Sequence, residues 1–396
     1  MMETTHEKLG VYPSFPEETT GEPAPCPPAL FEYTWYVILA YAMLGQAWGV
    51  VIPSVGGALL GLLAVACFLS VGAQISRVYA PVALALCTGV SVIAVQYFFF
   101  SARDFDNSIP FVPWLFTLII VQALSLRPGF LHRFGLVAFV IGLGVVPYLQ
   151  AHDDSGLMRV RASHTGIANP NSLGMWFGFC AVFFLFWGMQ SRTLALRAVY
   201  WAGGLGSLFM VALTVSRGPL LGIVLACVVG LRSALKRYFA PVFFLVVLMW
   251  LTYISGVFQE TIDAYFTRGA VETGRGKVWP VALQRFLDSP WTGVGFEAIP
   301  IPIRLKRAIT PHNGLLYIGL AAGIIPLICF LGYLARAVSG AFRIVWSARA
   351  GEATLVPPLV AFALIEVMVL DTAFMSAWVV VALALAVAKR TPLPDN

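Results

Sequence analysis

Long apolar runs, each broken by one or two polar or helix-breaking positions, follow one another along most of this chain. Runs near 32–50, 52–70, 79–100, 109–125, 131–149, 169–188, 196–215, 217–231, 238–256, 312–334, 354–371 and 373–388 predict about 12 membrane-spanning helices. Helices are the expected element, because each must satisfy its own backbone hydrogen bonds where no water is present. The breaks fall where helices end readily: Pro53, Pro128, Gly218-Pro219 and Pro357-Pro358 lie at or near proposed ends. The division of 196–231 into two spans rests on the short polar interruption TVSRGP. The predicted fold class is therefore an all-α polytopic membrane protein, with one long loop between spans nine and ten.

Composition agrees. Hydrophobic residues make up 59% of the 396 positions and charged residues 11%, against about 25% charged in a soluble domain. Mean hydropathy is +0.84. A water-soluble fold has no place for so much apolar surface. The chain divides into a polar, proline-rich tail at 1–30, spans one to nine at 31–256, the loop at 257–311, spans ten to twelve at 312–388 and a short tail at 389–396. The tail at 1–30 lacks the pattern of a signal peptide and reads as disordered. Five of the six cysteines fall inside proposed spans without metal-ligand spacing. There is no glycine-rich nucleotide-binding loop, and nothing suggests a nucleic-acid partner.

Charge sets an orientation. With both termini in the cytoplasm, every short inside connection carries a positive residue, including Arg77, Arg127, Arg133, Arg192, Arg232 and Arg343. The outer side then holds the long loop, which is itself rich in Arg and Lys. Either that loop is simply a solvated face, or its cations meet an anionic ligand.

Four outer places carry candidate chemistry. VRASHTGIANPNSLG (160–174) brings Arg161, His164, Asn169 and Asn171 to the mouth of span six, where Asn171 can equally serve as a helix cap. TVSRGPL (214–220) puts Arg217 between two apolar runs with no acidic neighbour, either as a ligand contact or reaching the headgroups. ETGRGKVWPVALQRF (272–286) offers Arg275, Lys277 and Trp279 on an amphipathic stretch, and DSPWTGVGFEAIP follows it. TPHNGLLYIGLAAGIIPL (310–327) places His312, followed by Asn313, where the loop re-enters the membrane, as a base or as a cap. Glu297 and Asp288 compete with His312 for the role of base. Asp104 and Asp106 form a D-x-D, for which a solvated turn beside Arg103 suffices. Glu366 and Asp371 lie close together near the end of span eleven and suggest an outer polar patch.

The motifs NPNSLG (169–174), SRG (216–218), GRGKVW (274–279), SPWTGVGF (289–296) and HNGLLYIGLAAGIIPL (312–327) occur in an order that resembles the O-antigen ligase and polymerase family with its Wzy-C type central region. The resemblance covers residues 155–335. It implies a transferase in the bacterial inner membrane whose active face is periplasmic. Such a protein takes a glycan from undecaprenyl diphosphate and passes it to an acceptor hydroxyl. In ligases the acceptor is a lipid A–core sugar; in polymerases it is another lipid-linked repeat unit. By motif, the essential arginines would be Arg161, Arg217 and Arg275, and the essential histidine His312. Asn169, Asn171, Lys277, Trp279, Glu297 and Asn313 are the candidate substrate contacts. Neither a metal nor another cofactor is expected. The partners would be the lipid-linked donor, the glycan acceptor and membrane lipids. A lipid-linked glycan transporter is the non-enzymatic alternative, but it would need more polar residues deep in the spans.

Overall fold

The computed structural model describes residues 26–49, 53–153, 158–231, 275–304, 307–346 and 351–388. α1 (Ala29–Leu44) and α2 (Pro53–Ser70) come first; a short α3 (Ile75–Tyr79) runs through a tight turn into α4 (Ala83–Phe99). α5 (Ala102–Ser108), α6 (Phe111–Leu124) and α7 (Phe130–Val145) follow. After the strands β1 (Leu149–Asp153) and β2 (Met158–Ala162) come α8 (Pro170–Gln190), α9 (Leu194–Leu213) and α10 (Arg217–Leu231). Beyond residue 274 lie α11 (Arg275–Asp288), β3 (Ile301–Arg304), β4 (Arg307–Ile309), α12 (Gly314–Ala322), α13 (Ile324–Trp346), α14 (Val356–Val369) and α15 (Ala377–Ala388).

Among the described residues, six helical stretches are long and apolar enough to cross a bilayer: Gly72–Phe99, Ala102–Leu124, Phe130–Tyr148, Pro170–Gln190, Leu194–Leu213 and Ile324–Val345. Five shorter apolar helices coincide with other expected spans. The expected span at 238–256 lies outside the described residues. Outer helix faces carry the large apolar side chains that lipid would cover. On α10, Leu221, Val224 and Val228 are all exposed at helical spacing. Several apolar helices with apolar outer faces make this a multi-pass membrane protein.

α8 is the central helix, 78% buried over its most apolar window, whereas α9 beside it is 17% buried. Small residues bring the central helices close. A Cβ on Gly178 of α8 would lie 2.7 Å from Phe362 of α14, and one on Gly222 of α10 would lie 2.8 Å from the same ring. Phe362 thus joins α8, α10 and α14, the three helices that lead to the candidate site segments. At the start of α1, Glu32 is 1% exposed and accepts from Arg127 Nε at 2.7 Å, Arg133 Nε at 2.7 Å and Tyr36 Oη at 2.6 Å. This clamp holds the beginning of the first helix to the turn between α6 and α7, so both lie at the same end of the molecule.

Two expectations change. The outer connection between spans five and six contains strands where the sequence predicts only helices and their connections: β1 and β2 pair antiparallel, with Gln150 opposite Arg161. β3 and β4 form a second small hairpin, so the fold is helical with two such additions. The expected single span at 312–334 is broken at Gly323, which sits at φ +82°. α12 ends there and α13 continues past Arg336 and Arg343. The cause is the SPWTGVGF segment, which docks onto the break. Ile324 N–H donates to Pro290 O at 2.8 Å, and Val294 N–H donates to Leu320 O at 2.7 Å. A Cβ at Gly323 would lie 2.2 Å from Trp291 O, so only glycine permits this approach. Gln96 of α4 donates to Ala321 O at 2.7 Å. It satisfies one carbonyl that the break leaves without a helical partner.

Candidate functional site

The re-entry loop at 310–313 is built around Asp371, which follows α14. Thr310 Oγ1 donates a short hydrogen bond to Asp371 Oδ2, and Asn313 N–H donates to Oδ1 at 2.9 Å. His312 Nδ1 faces Oδ2 at 3.5 Å. Asn313 caps α12 by accepting from Leu315 and Leu316 N–H, and its amide donates to Met368 O. Trp279 Nε1 on α11 donates to Pro311 O at 2.7 Å. The loop is therefore held from both sides, and the His312 side chain stays 39% exposed. With a carboxylate beside Nδ1, Nε2 is the ring nitrogen left to accept a proton.

A second cluster lies where β2, the start of α8 and the turn between α9 and α10 converge. Asn169 is the N-cap of α8 and accepts from Asn171 N–H at 2.8 Å. Asn171 Oδ1 accepts from Arg159 Nη2 at 3.0 Å and from Ser216 Oγ at 2.6 Å. Arg217 follows directly as the first residue of α10. Arg161 lines a cavity of about 470 Å³ with Gln150, Ser163, His164, Ala168, Asn169 and Pro170. Its Nε is buried with no hydrogen-bond partner among the described residues. The two clusters approach each other through α10 and α14. A Cβ on Gly218 would lie 2.8 Å from Val369 and 3.8 Å from Glu366 Oε2. Glu366 is itself fully buried and has no hydrogen-bond partner among the described residues. One turn further along, α14 ends and Asp371 follows.

The arginines divide in a way that points to a ligand. Arg103 pairs with Glu297 at 3.1 Å, and Arg285 donates to Ala298 O. Arg161 and Arg217 have no carboxylate or carbonyl partner among the described residues. Half-buried guanidinium groups left open in this way are suited to an anion. Backbone strain gathers at the same places. The three non-glycine residues with positive φ among the described residues are His164 (58°), Val215 (49°) and His312 (50°). Each belongs to one of the motif segments, and strain of this kind concentrates at functional sites.

Glu297 lies against the α5 turn instead of beside His312: its side chain pairs with Arg103 and its N–H donates to Asp104 Oδ1 at 2.8 Å. Asp104 Oδ2 accepts from Ser101. Both oxygens of Asp104 are thus engaged, one by Glu297 and one by Ser101. Asp288 accepts from Gln284 at the exposed end of α11. The side chains of Arg275 and Lys277 lie outside the described residues, as does the rest of the GRGKVW motif before Val278. Nothing in the sequence around Asp371 marks it as the partner of His312. Its one signal is a carboxylate at the end of an apolar run. Arg159 carries no signal beyond being one more outer arginine.

A multi-pass membrane protein with open arginines and a histidine–aspartate pair between its helices is the class that fold and site define. Residues 202–331 match the Wzy_C family model, described as O-antigen ligase. Over those residues the chain is similar to that family, in agreement with the resemblance of the motifs that lie within them. No curated protein matches the chain.

Proposed function

We propose that this protein is an O-antigen ligase. It would transfer a glycan from undecaprenyl diphosphate to a sugar hydroxyl of lipid A–core at the periplasmic face of the inner membrane. The observation that carries the reading is that the matched segment, 202–331, contains Arg217, Arg275 and His312 together. In the proposed reaction His312 Nε2 takes the proton of the acceptor hydroxyl while that oxygen attacks the anomeric carbon. The bond from that carbon to the diphosphate breaks, and its electron pair leaves on the phosphate oxygen. Configuration inverts in this direct displacement. Arg161, Arg217 and Arg275 would meet the charge that develops on the diphosphate. Asp371 would hold His312 and stabilise its protonated form.

Deleting the gene and running lipopolysaccharide on a gel tests the reading. A ligase deletion leaves core without attached O-chain. Core carrying one repeat would instead identify a polymerase, which shares the donor and differs in acceptor. Unchanged lipopolysaccharide would exclude the ligase and point to a secreted exopolysaccharide or a protein acceptor.

The proposed topology places 155–168 and 257–311 in the periplasm and both termini in the cytoplasm. Single cysteines introduced into those two segments are expected to react with an impermeant thiol reagent added to intact cells whose outer membrane has been opened. Labelling only after lysis of the inner membrane would reverse the orientation.

The chemistry assigned to arginine and histidine needs no divalent cation. Purified protein is expected to keep full turnover in excess chelator. Activity lost in chelator and restored by Mg²⁺ or Mn²⁺ would refute this and turn attention to Asp104 and Asp106.

A further inference from the structure

Arg159 stands two residues before Arg161 on β2 and is only 5% exposed. Its Nε donates to Thr214 O at 2.9 Å, and its Nη2 donates to Asn171 Oδ1 at 3.0 Å. Ser216 Oγ donates to that same oxygen at 2.6 Å. One guanidinium therefore ties together the hairpin, the start of α8 and the turn between α9 and α10.

That turn is held under strain. Val215 sits at φ +49°, which a β-branched residue strongly disfavours. Packing leaves it little room: a Cβ on Gly174 of α8 would lie 2.8 Å from Thr214 Oγ1 and 3.2 Å from Ser216 Cβ. A strained conformation persists only where its surroundings over-determine it. A buried guanidinium, in turn, is tolerated only where acceptors replace its water. Here each requirement meets the other. The carbonyl at Thr214 is turned toward Arg159 by the strained backbone, and Arg159 holds the backbone in that state. Arg217 comes two residues after Val215, so the direction in which its side chain leaves α10 is fixed by this turn.

We propose that Arg159 is a positioning residue for Arg217: through Thr214 O, Asn171 and Ser216 it fixes the α9–α10 turn that aims Arg217 at the anionic group of the donor. The proposal rests on the reading of Arg217 as a donor contact.

The test uses full-length protein in nanodiscs, with an undecaprenyl-diphosphate-linked oligosaccharide as donor. Arg159→Lys keeps the charge but cannot bridge two acceptors with a planar fork. Turnover is expected to fall roughly 10- to 100-fold, the size of loss that follows from misplacing a reacting group by about an ångström. The double variant Arg159→Lys/Arg217→Ala should be no slower than Arg217→Ala alone, because aiming an absent side chain has no value. Amide hydrogen exchange over 213–218 should quicken in Arg159→Lys while the other helices keep wild-type protection. Multiplying losses in the double variant, or wild-type turnover in Arg159→Lys, would overturn the proposal. Wild-type exchange over 213–218 in Arg159→Lys would overturn it whatever the rates. Undiminished turnover in Arg217→Ala would overturn the donor reading itself, and exchange over 213–218 would then decide separately whether Arg159 sets the turn. Should Arg159→Lys not fold, Ser216→Ala removes one hydroxyl from the same knot and is read in the same way.

Discussion

His312→Ala is expected to lower turnover about 10²–10⁴-fold, the usual worth of a general base, with donor affinity nearly unchanged. The separation follows from geometry. His312 Nδ1 faces Asp371 at 3.5 Å, while the neighbouring Asn313 is tied independently to Asp371, Met368 and α12. Removing the imidazole leaves those bonds in place, so the loop keeps its shape and the arginines keep their ligand. Donor affinity and the initial rate at saturating donor, measured on the same preparation, check this. A near-normal rate would end the role of His312 as base and return attention to Glu297 and Asp288. Loss of donor binding would instead make His312 a phosphate contact. Asp371→Asn should also slow turnover, since the amide cannot stabilise an imidazolium as a carboxylate does.

Arg217→Ala and Arg275→Ala should behave differently from His312→Ala. Each would remove a charge-assisted contact to the diphosphate, weakening donor binding and also slowing departure of the lipid phosphate. Loss of one such donor typically costs about 10²–10³-fold in rate. Arg217→Lys should recover little wherever the contact is bidentate. The same paired measurement applies. Normal donor affinity together with a normal rate in Arg217→Ala would remove it from the site. A defect in affinity alone would make it a binding residue that does not respond to the transition state.

Much of the helix order was legible in the apolar runs, because a membrane span must declare itself over many consecutive residues. The runs at 169–188, 196–215 and 217–231 correspond to α8, α9 and α10, and the doubtful break between the last two is real, at Thr214–Ser216. The break at Gly323 was not legible, since GLAAGIIPL is apolar throughout and the cause lies in a loop some thirty residues earlier. The β1–β2 hairpin was hidden for a similar reason: a five-residue strand beside a membrane helix carries little periodic signal. At the site, Arg217 stands out as a polar interruption of apolar sequence, and His312 and Arg161 as polar residues just before an apolar run. Their supports do not. Asp371, Arg159 and Ser216 act through contacts 45 to 61 residues distant in sequence, as in Ser216 with Asn171, Arg159 with Thr214 and Thr310 with Asp371. No local pattern encodes such a pairing.

The clamp on Glu32 also bears on how the chain is made. Its two arginine partners are encoded 95 and 101 residues later. At a synthesis rate of about 5–20 residues per second, the ribosome reaches Arg127 roughly 5–20 s after Glu32. During that interval the first helix has a carboxylate with no cation to neutralise it, which membrane burial penalises. The first helix therefore settles against its neighbours only once the turn between the sixth and seventh helices has emerged. A nascent chain whose Arg127 has not yet left the ribosome would hold its first helix loosely, and one long enough to have released both Arg127 and Arg133 would hold it fast.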